Sequence, residues 1–97
     1  MGSILAVFDI AKVRNDFPIL RTEIYGKPLV YADNAASTQK PSQVIDSVSE
    51  LYTKHYANIH RGVHYLSQKS TALYEAARET IREFINADKI QEIVFVR

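Results

Sequence analysis

The stretch Leu29-Val30-Tyr31-Ala32-Asp33-Asn34-Ala35-Ala36-Ser37-Thr38-Gln39-Lys40-Pro41 decides how the chain is read. Its first residues are apolar, with β-branched and aromatic members, which predicts a buried strand over 29–33. Asp33 and Asn34 bond readily to nearby backbone and favour a turn, and Ala35 and Ala36 leave that turn with little side-chain bulk. Pro41 has the fixed φ that suits the start of a helix. A strand that leaves through small and amide residues into a helix start is a common seat for a small ligand. The same pattern also describes an ordinary strand, turn and helix corner.

Upstream, Asp9 is a credible cap for a helix over 9–17, in which Ile10, Val13 and Phe17 share one face and Pro18 sets the end. Tyr25-Gly26-Lys27-Pro28 carries turn punctuation, so a hairpin or bend brings Ile24 near Leu29. Downstream, Val44, Ile45, Val48, Leu51, Tyr52 and Tyr56 form a broad apolar stripe that predicts a helix over 42–56. Asn58 and Gly62 then break the helical period, and Asn58-Ile59-His60-Arg61-Gly62-Val63-His64-Tyr65 reads as a long connection. Ser67 caps a further helix over 67–85, with Ala72 or Leu73, Ala76 or Ala77, Ile81, Phe84 and Ile85 inward and the pairs Glu75–Arg78 and Glu79–Arg82 on the wet side. Asn86 is a left-handed stop. The run Glu92-Ile93-Val94-Phe95-Val96-Arg97 predicts a strand over 92–97 buried on both faces. Such a strand needs a neighbour on each edge, so residues 1–97 are expected to be a single segment of something larger.

Composition narrows the function classes. With 97 residues the length fits one small domain, able to bury roughly 60–70% of its unfolded surface around a core. A net charge of +1, with acids and bases interleaved, gives no electrostatic footprint for nucleic acid. There is no cysteine, which removes disulfides and Cys-ligated metal from this chain. The opening run of residues 1–8 is too short for a secretion signal or a membrane span, so a cytoplasmic protein with no membrane partner is expected.

Candidate chemistry gathers in the connection. His60 and His64 have the spacing of a helical metal pair, but Gly62 between them and the lack of a third ligand argue against a metal. Asn58, His60 and Arg61 read better as a polar cluster. Arg61 suits a carboxylate or phosphate, and His60 donates, accepts or carries a proton near neutral pH. A solvated loop holding a salt bridge is the alternative. No serine nucleophile frame, Gly-rich phosphate loop or carboxylate pair is present.

Four stretches in order, Phe17-Pro18-Ile19-Leu20, Gly26 to Pro41, Asn58 to Ser67, and Glu92-Ile93-Val94-Phe95, make the chain resemble the opening of the SufS-type cysteine desulfurases, class V aminotransferase relatives that use pyridoxal 5'-phosphate. The resemblance implies an α/β fold class: the N-terminal fragment of a PLP-transferase type I fold, mainly helices with short strands. It implies that Asn34, Ala35, Ala36 and His60 bind substrate, and that Asn58, Arg61 and His64 lie in a dimer-contact and active-site loop. Ala32 and Ser37 stand where the family more often has Leu and Thr. The implied activity converts L-cysteine to L-alanine and an enzyme persulfide for iron–sulfur cluster assembly, in a homodimer that passes sulfur to an acceptor protein. No catalytic residue falls in this segment. The nucleophilic cysteine, the anchoring lysine and the phosphate turn of the family lie later in sequence, so the segment alone is expected to be inactive. A selenocysteine lyase or another class V enzyme shares these motifs. A free-standing helical interaction module is the reading from another class.

Overall fold

The structure, a computed structural model, describes residues 7–97. Of the opening run read as too short for a membrane span, only Val7 and Phe8 fall within them. The chain divides into two compact units, Met1–Val48 and Ser49–Arg97. Each is described within itself.

In the first unit, α1 spans Ile10–Asn15. The Asp9 carboxylate accepts from the Lys12 amide at 3.1 Å and satisfies one of the free donors of the first turn. The helix stops earlier than the expected 17, because the amides of Asp16 and Phe17 turn back onto Val13 and Arg14 at 3.1 Å each. Pro18–Arg21 follows as a 3₁₀ turn. Strands β1 (Glu23–Ile24) and β2 (Lys27–Pro28) pair antiparallel, with Glu23 opposite Pro28 and Ile24 opposite Lys27. The two-residue loop has Tyr25 at φ 53° and Gly26 at φ 77°, the pair of positive values that a right-twisted hairpin requires. The Leu29 amide donates to the Thr22 carbonyl at 3.0 Å and closes the hairpin.

The strand expected over 29–33 is absent. These residues join no sheet among the described residues, and Val30 is 89% exposed. β-propensity marks residues that suit a pleated surface, but a strand also needs a ladder of bonds to a partner; here the Leu29 amide on Thr22 closes the hairpin and no ladder continues from it. Helix α2 (Ser42–Glu50) opens on the Pro41 carbonyl, which accepts from Val44 and Ile45 at 3.0 and 3.1 Å. The Ser42 amide donates to the Asp16 carbonyl at 2.6 Å, fixing the start of α2 to the end of α1.

In the second unit, Leu51–His55 is a π-helical turn where the sequence predicts continuing α-helix to 56. Thr53 is part of the cause: its hydroxyl donates back to the Ser49 carbonyl at 2.8 Å and competes for the acceptor of the helical ladder. Helix α3 spans Tyr65–Phe84. It begins before the expected 67 because His64 rather than Ser67 is its cap: His64 Nδ1 accepts from the Ser67 amide at 3.2 Å. Its end is a Schellman motif, with Asn86 at φ 58°, the Asn86 amide on the Glu83 carbonyl at 3.1 Å and the Ala87 amide on the Arg82 carbonyl at 3.0 Å.

The face that α3 buries is not the expected one. Ser67 and Ser70 are buried, with Thr71, Tyr74, Glu75, Arg78 and Arg82 half-buried along the same stripe. Leu73, Ile81, Phe84 and Ile85 are exposed. The polar stripe wins because it supplies donors and acceptors to neighbouring loop backbone, which is costly to leave unpaired. The strand expected over 92–97 is also absent. Ile90–Glu92 forms a 3₁₀ turn and the residues after it are extended but unpaired among the described residues. Ile93 is the buried apolar residue of the described chain, so the expected core is not assembled by these residues alone.

The hairpin yields a test. Tyr25 is 99% exposed, so its ring is not held by packing, while its left-handed backbone is strained for an L-residue with a Cβ. Replacing it with a residue that tolerates this region, Tyr25→Asn, is expected to raise the opening free energy of the Leu29 amide by about 1 kcal/mol in hydrogen exchange.

Candidate functional site

Two clusters hold the residues that the sequence singles out, one in each unit. In the first unit the turn after Tyr31 is drawn tight by its own backbone. The amides of Ala36 and Ser37 donate to the Asp33 carbonyl at 3.0 and 3.1 Å. The Tyr31 hydroxyl donates to the Ser37 carbonyl at 2.6 Å, so the ring spans the mouth of the turn. Asn34 is used twice: its side-chain oxygen accepts from the Gln39 amide at 3.2 Å, and its carbonyl accepts from the Thr38 hydroxyl at 3.1 Å. Asn34 also lines a cavity of about 270 Å³ with an apolar floor of Val13, Phe17 and Leu20 and a rim that includes Arg14 and Gln39. Ala35 and Ala36 are exposed and do not line that cavity.

In the second unit the connection 57–64 is pinned to the start of α3 by one buried hydroxyl. Ser67 Oγ donates to the Asn58 carbonyl at 2.7 Å and accepts from the Gly62 amide at 3.1 Å. A Cβ on Gly62 would stand 2.6 Å from both Cβ and Oγ of Ser67, so the loop closes this tightly only with glycine. The Ser70 hydroxyl likewise donates to the His55 carbonyl, tying the π-helical turn to α3.

His60 sits at φ 64°, a left-handed conformation uncommon for a residue with a side chain. Its amide donates to Thr71 Oγ1 at 2.9 Å, and its Nε2 lies 2.8 Å from Glu75 Oε2. The Tyr74 ring meets the imidazole edge to face with centroids 5.4 Å apart, and Phe95 meets Tyr74 the same way at 5.1 Å. Glu75 is held from the other side by Arg78 Nη1 at 2.7 Å. Arg78 then donates through Nη2 to the Ile90 carbonyl at 2.9 Å and through Nε to the Ile93 carbonyl at 3.1 Å. The hydrogen bond from His60, then that from Arg78, hold the Glu75 carboxyl below its usual range.

The structure thus gathers His60, Asn58 and His64 around the start and first turns of α3, each with a distinct job. His64 caps the helix, Asn58 offers its carbonyl to Ser67, and His60 is the ring that Glu75 holds. Arg61 is exposed and forms no ion pair among the described residues; the bridge that the sequence leaves open for this loop falls on His60, against Glu75. No group of three metal-ligating side chains occurs among the described residues. Sequence reading missed the pairing of His60 with Glu75. The Glu75–Arg78 spacing was visible, but a partner fifteen residues away leaves no local signal.

The pyridoxal cofactor implied by the resemblance requires an anchoring lysine. No lysine lines this cavity or the apolar one of about 310 Å³ between Leu51, Tyr56, Ile59, Leu73 and Tyr74. No described helix is long and apolar enough to cross a membrane.

With the geometry established, similarity to known proteins gives the class. Residues 30–97 match the aminotransferase class-V family, and the chain belongs to it. The chain is 57% identical over 91 residues to the probable cysteine desulfurase 1 of Mycobacterium leprae, covering 94% of this chain and 15% of that protein. It is 52% identical over 91 residues to the cysteine desulfurase of Escherichia coli K12, covering 94% of this chain and 22% of that protein. The apo cysteine desulfurase of Thermococcus onnurineus NA1 superposes with a TM-score of 0.77 at 38% identity, over 92% of this chain and 20% of that one. The backbone therefore has the fold of part of a PLP-transferase type I enzyme, as the motifs imply. The chain spans less than a quarter of the length of these relatives.

Two tests follow from the loop. Gly62→Ala forces a methyl into the space of Ser67 and is expected to cost about 1–3 kcal/mol, read as a lower midpoint in urea unfolding followed by circular dichroism. The Glu75 interactions contribute stability that is complete above the ordinary carboxylate pKa. Because the folded pKa is lowered, that contribution is lost as pH falls through the lowered value. Thermal melts across the acid range are expected to show this loss, and to show less of it in Glu75→Gln.

Proposed function

We propose that the chain is part of a pyridoxal-phosphate-dependent cysteine desulfurase, which converts L-cysteine to L-alanine and leaves sulfur as an enzyme persulfide for iron–sulfur cluster assembly. The observation that carries this reading is the 48–57% identity to cysteine desulfurases over almost the whole chain. The structural likeness to a solved member supports it. In this reading Asn34, Ala35, Ala36 and His60 face the amino-acid substrate, and Asn58, Arg61 and His64 belong to the loop that meets the second subunit of a cytoplasmic homodimer. The unpaired guanidinium of Arg61 supports that role, since it is a ready donor for a carboxylate. The sulfur passes to an acceptor protein.

The reaction needs a thiolate to take the substrate sulfur and a lysine-held cofactor that serves as electron sink. This chain has no cysteine, and its lysines stand away from both cavities. Its own residues bind and orient; they supply neither the nucleophile nor the cofactor seat. The exposed apolar stripe of α3 agrees with this division of labour, because such a face is normally covered by further protein.

A hybrid enzyme tests the proposal. The matching 91 residues of the Escherichia coli enzyme are replaced by those of this chain, and alanine and sulfide released from L-cysteine are assayed together. Alanine release within about tenfold of the parent, a loss of 1.4 kcal/mol or less in transition-state stabilisation, is the expected outcome. The 97-residue chain alone is expected to release none. A soluble hybrid with no activity on cysteine would sink the reading.

A further inference from the structure

Glu75 is neither a motif residue of the resemblance nor a lining residue of the two cavities described, yet it is the hub of a relay. One carboxylate oxygen faces His60 Nε2 at 2.8 Å and the other faces Arg78 Nη1 at 2.7 Å. A guanidinium only donates, so the oxygen toward Arg78 is fixed as an acceptor. A carboxylate accepts at both oxygens, so the imidazole nitrogen facing it must carry a proton. The neutral ring is then the Nε2–H form, with its lone pair on Nδ1. Nδ1 makes no hydrogen bond among the described residues. The backbone of His60 is independently held, by the Thr71 hydroxyl on its amide and by its left-handed φ. The edge-to-face Tyr74 ring limits its swing.

We propose that Glu75, braced by Arg78, is the positioning residue that sets the tautomer and ring direction of His60 and so presents Nδ1 as an acceptor toward an ammonium or thiol group of the amino-acid substrate. The inference deepens the desulfurase reading and rests on it for the identity of the substrate. The tautomer itself rests on the geometry alone. Arg78 extends the relay: the same guanidinium grips the Ile90 and Ile93 carbonyls, so the direction of His60 is set against the backbone of residues 90–93.

The isosteric change Glu75→Gln gives a sharp test. Arg78 still demands an acceptor and takes the amide oxygen, which turns the NH₂ toward His60. Nε2 must then accept, and the proton moves to Nδ1. The readout is the pair of imidazole ¹⁵N shifts in long-range proton–nitrogen spectra of the full chain, assigned with His60→Gln and recorded in mildly alkaline buffer. Wild type is expected to show protonated Nε2 and bare Nδ1, and Glu75→Gln the reverse, with a cooperative melt retained at a midpoint lowered by the lost carboxylate. A merely structural Glu75 would not move the tautomer.

Wild-type His60 averaging between both forms, a Glu75→Gln variant that keeps the Nε2 proton, or one that unfolds would each overturn the proposal. In the hybrid desulfurase, Glu75→Gln is expected to lower kcat/KM for cysteine about tenfold, the lower end of what losing an orienting partner costs a working imidazole. An unchanged kcat/KM would overturn the role in the reaction. A wild-type hybrid without activity would instead overturn the desulfurase reading, leaving the tautomer result to decide the positioning by itself.

Discussion

The guanidinium of Arg78 is the interaction on which the second unit depends. One side chain satisfies the Ile90 and Ile93 carbonyls and one carboxylate oxygen of Glu75, and Glu75 in turn holds His60. A planar fork of five donors can do this where a lysine could not, because several acceptors in different directions must be met from one rigid plane. The buried residue beside it is Ile93, whose carbonyl Arg78 engages. Polar and apolar order therefore coincide at one point. The extended segment after Ile93 is located by a cation on a helix rather than by a neighbouring strand.

The same logic, polar groups recruited to hold irregular backbone, runs through both units. Ser67 is wholly buried because the Asn58 carbonyl and the Gly62 amide both use it. Tyr31 and Asn34 do comparable work in the first unit, spanning and lacing the turn that follows residue 33. Loops that present functional groups need such bracing, since they lack a ladder of their own. Asn34 combines a structural place with a place at the cavity. Its side-chain oxygen braces the turn while the residue still lines the cavity floored by Val13, Phe17 and Leu20.

Membership of the class-V aminotransferases places these braces in context. Within it the described residues hold irregular backbone through polar side chains, and His60 is a ring held by Glu75, which Arg78 holds in turn. The chain has no cysteine.

The sequence by itself determined the local features and the family. The Asp9 cap, the turn at Tyr25-Gly26, the left-handed Asn86 and the helical runs on either side of the connection all follow from residues within a few positions of one another. The four motifs carried the class, because fixed side-chain types in fixed order survive without knowledge of contacts. Tertiary structure decided which face of α3 is covered, that 29–33 and 92–97 join no sheet among the described residues, and that His60 belongs to Glu75. Amphipathic periodicity identifies an apolar stripe but says nothing about which neighbour is present to cover it. Strand propensity identifies residues fit for a sheet without supplying the partner edge. The His60 pairing spans fifteen residues, and only the fold of the connection against α3 brings its two ends within hydrogen-bonding distance.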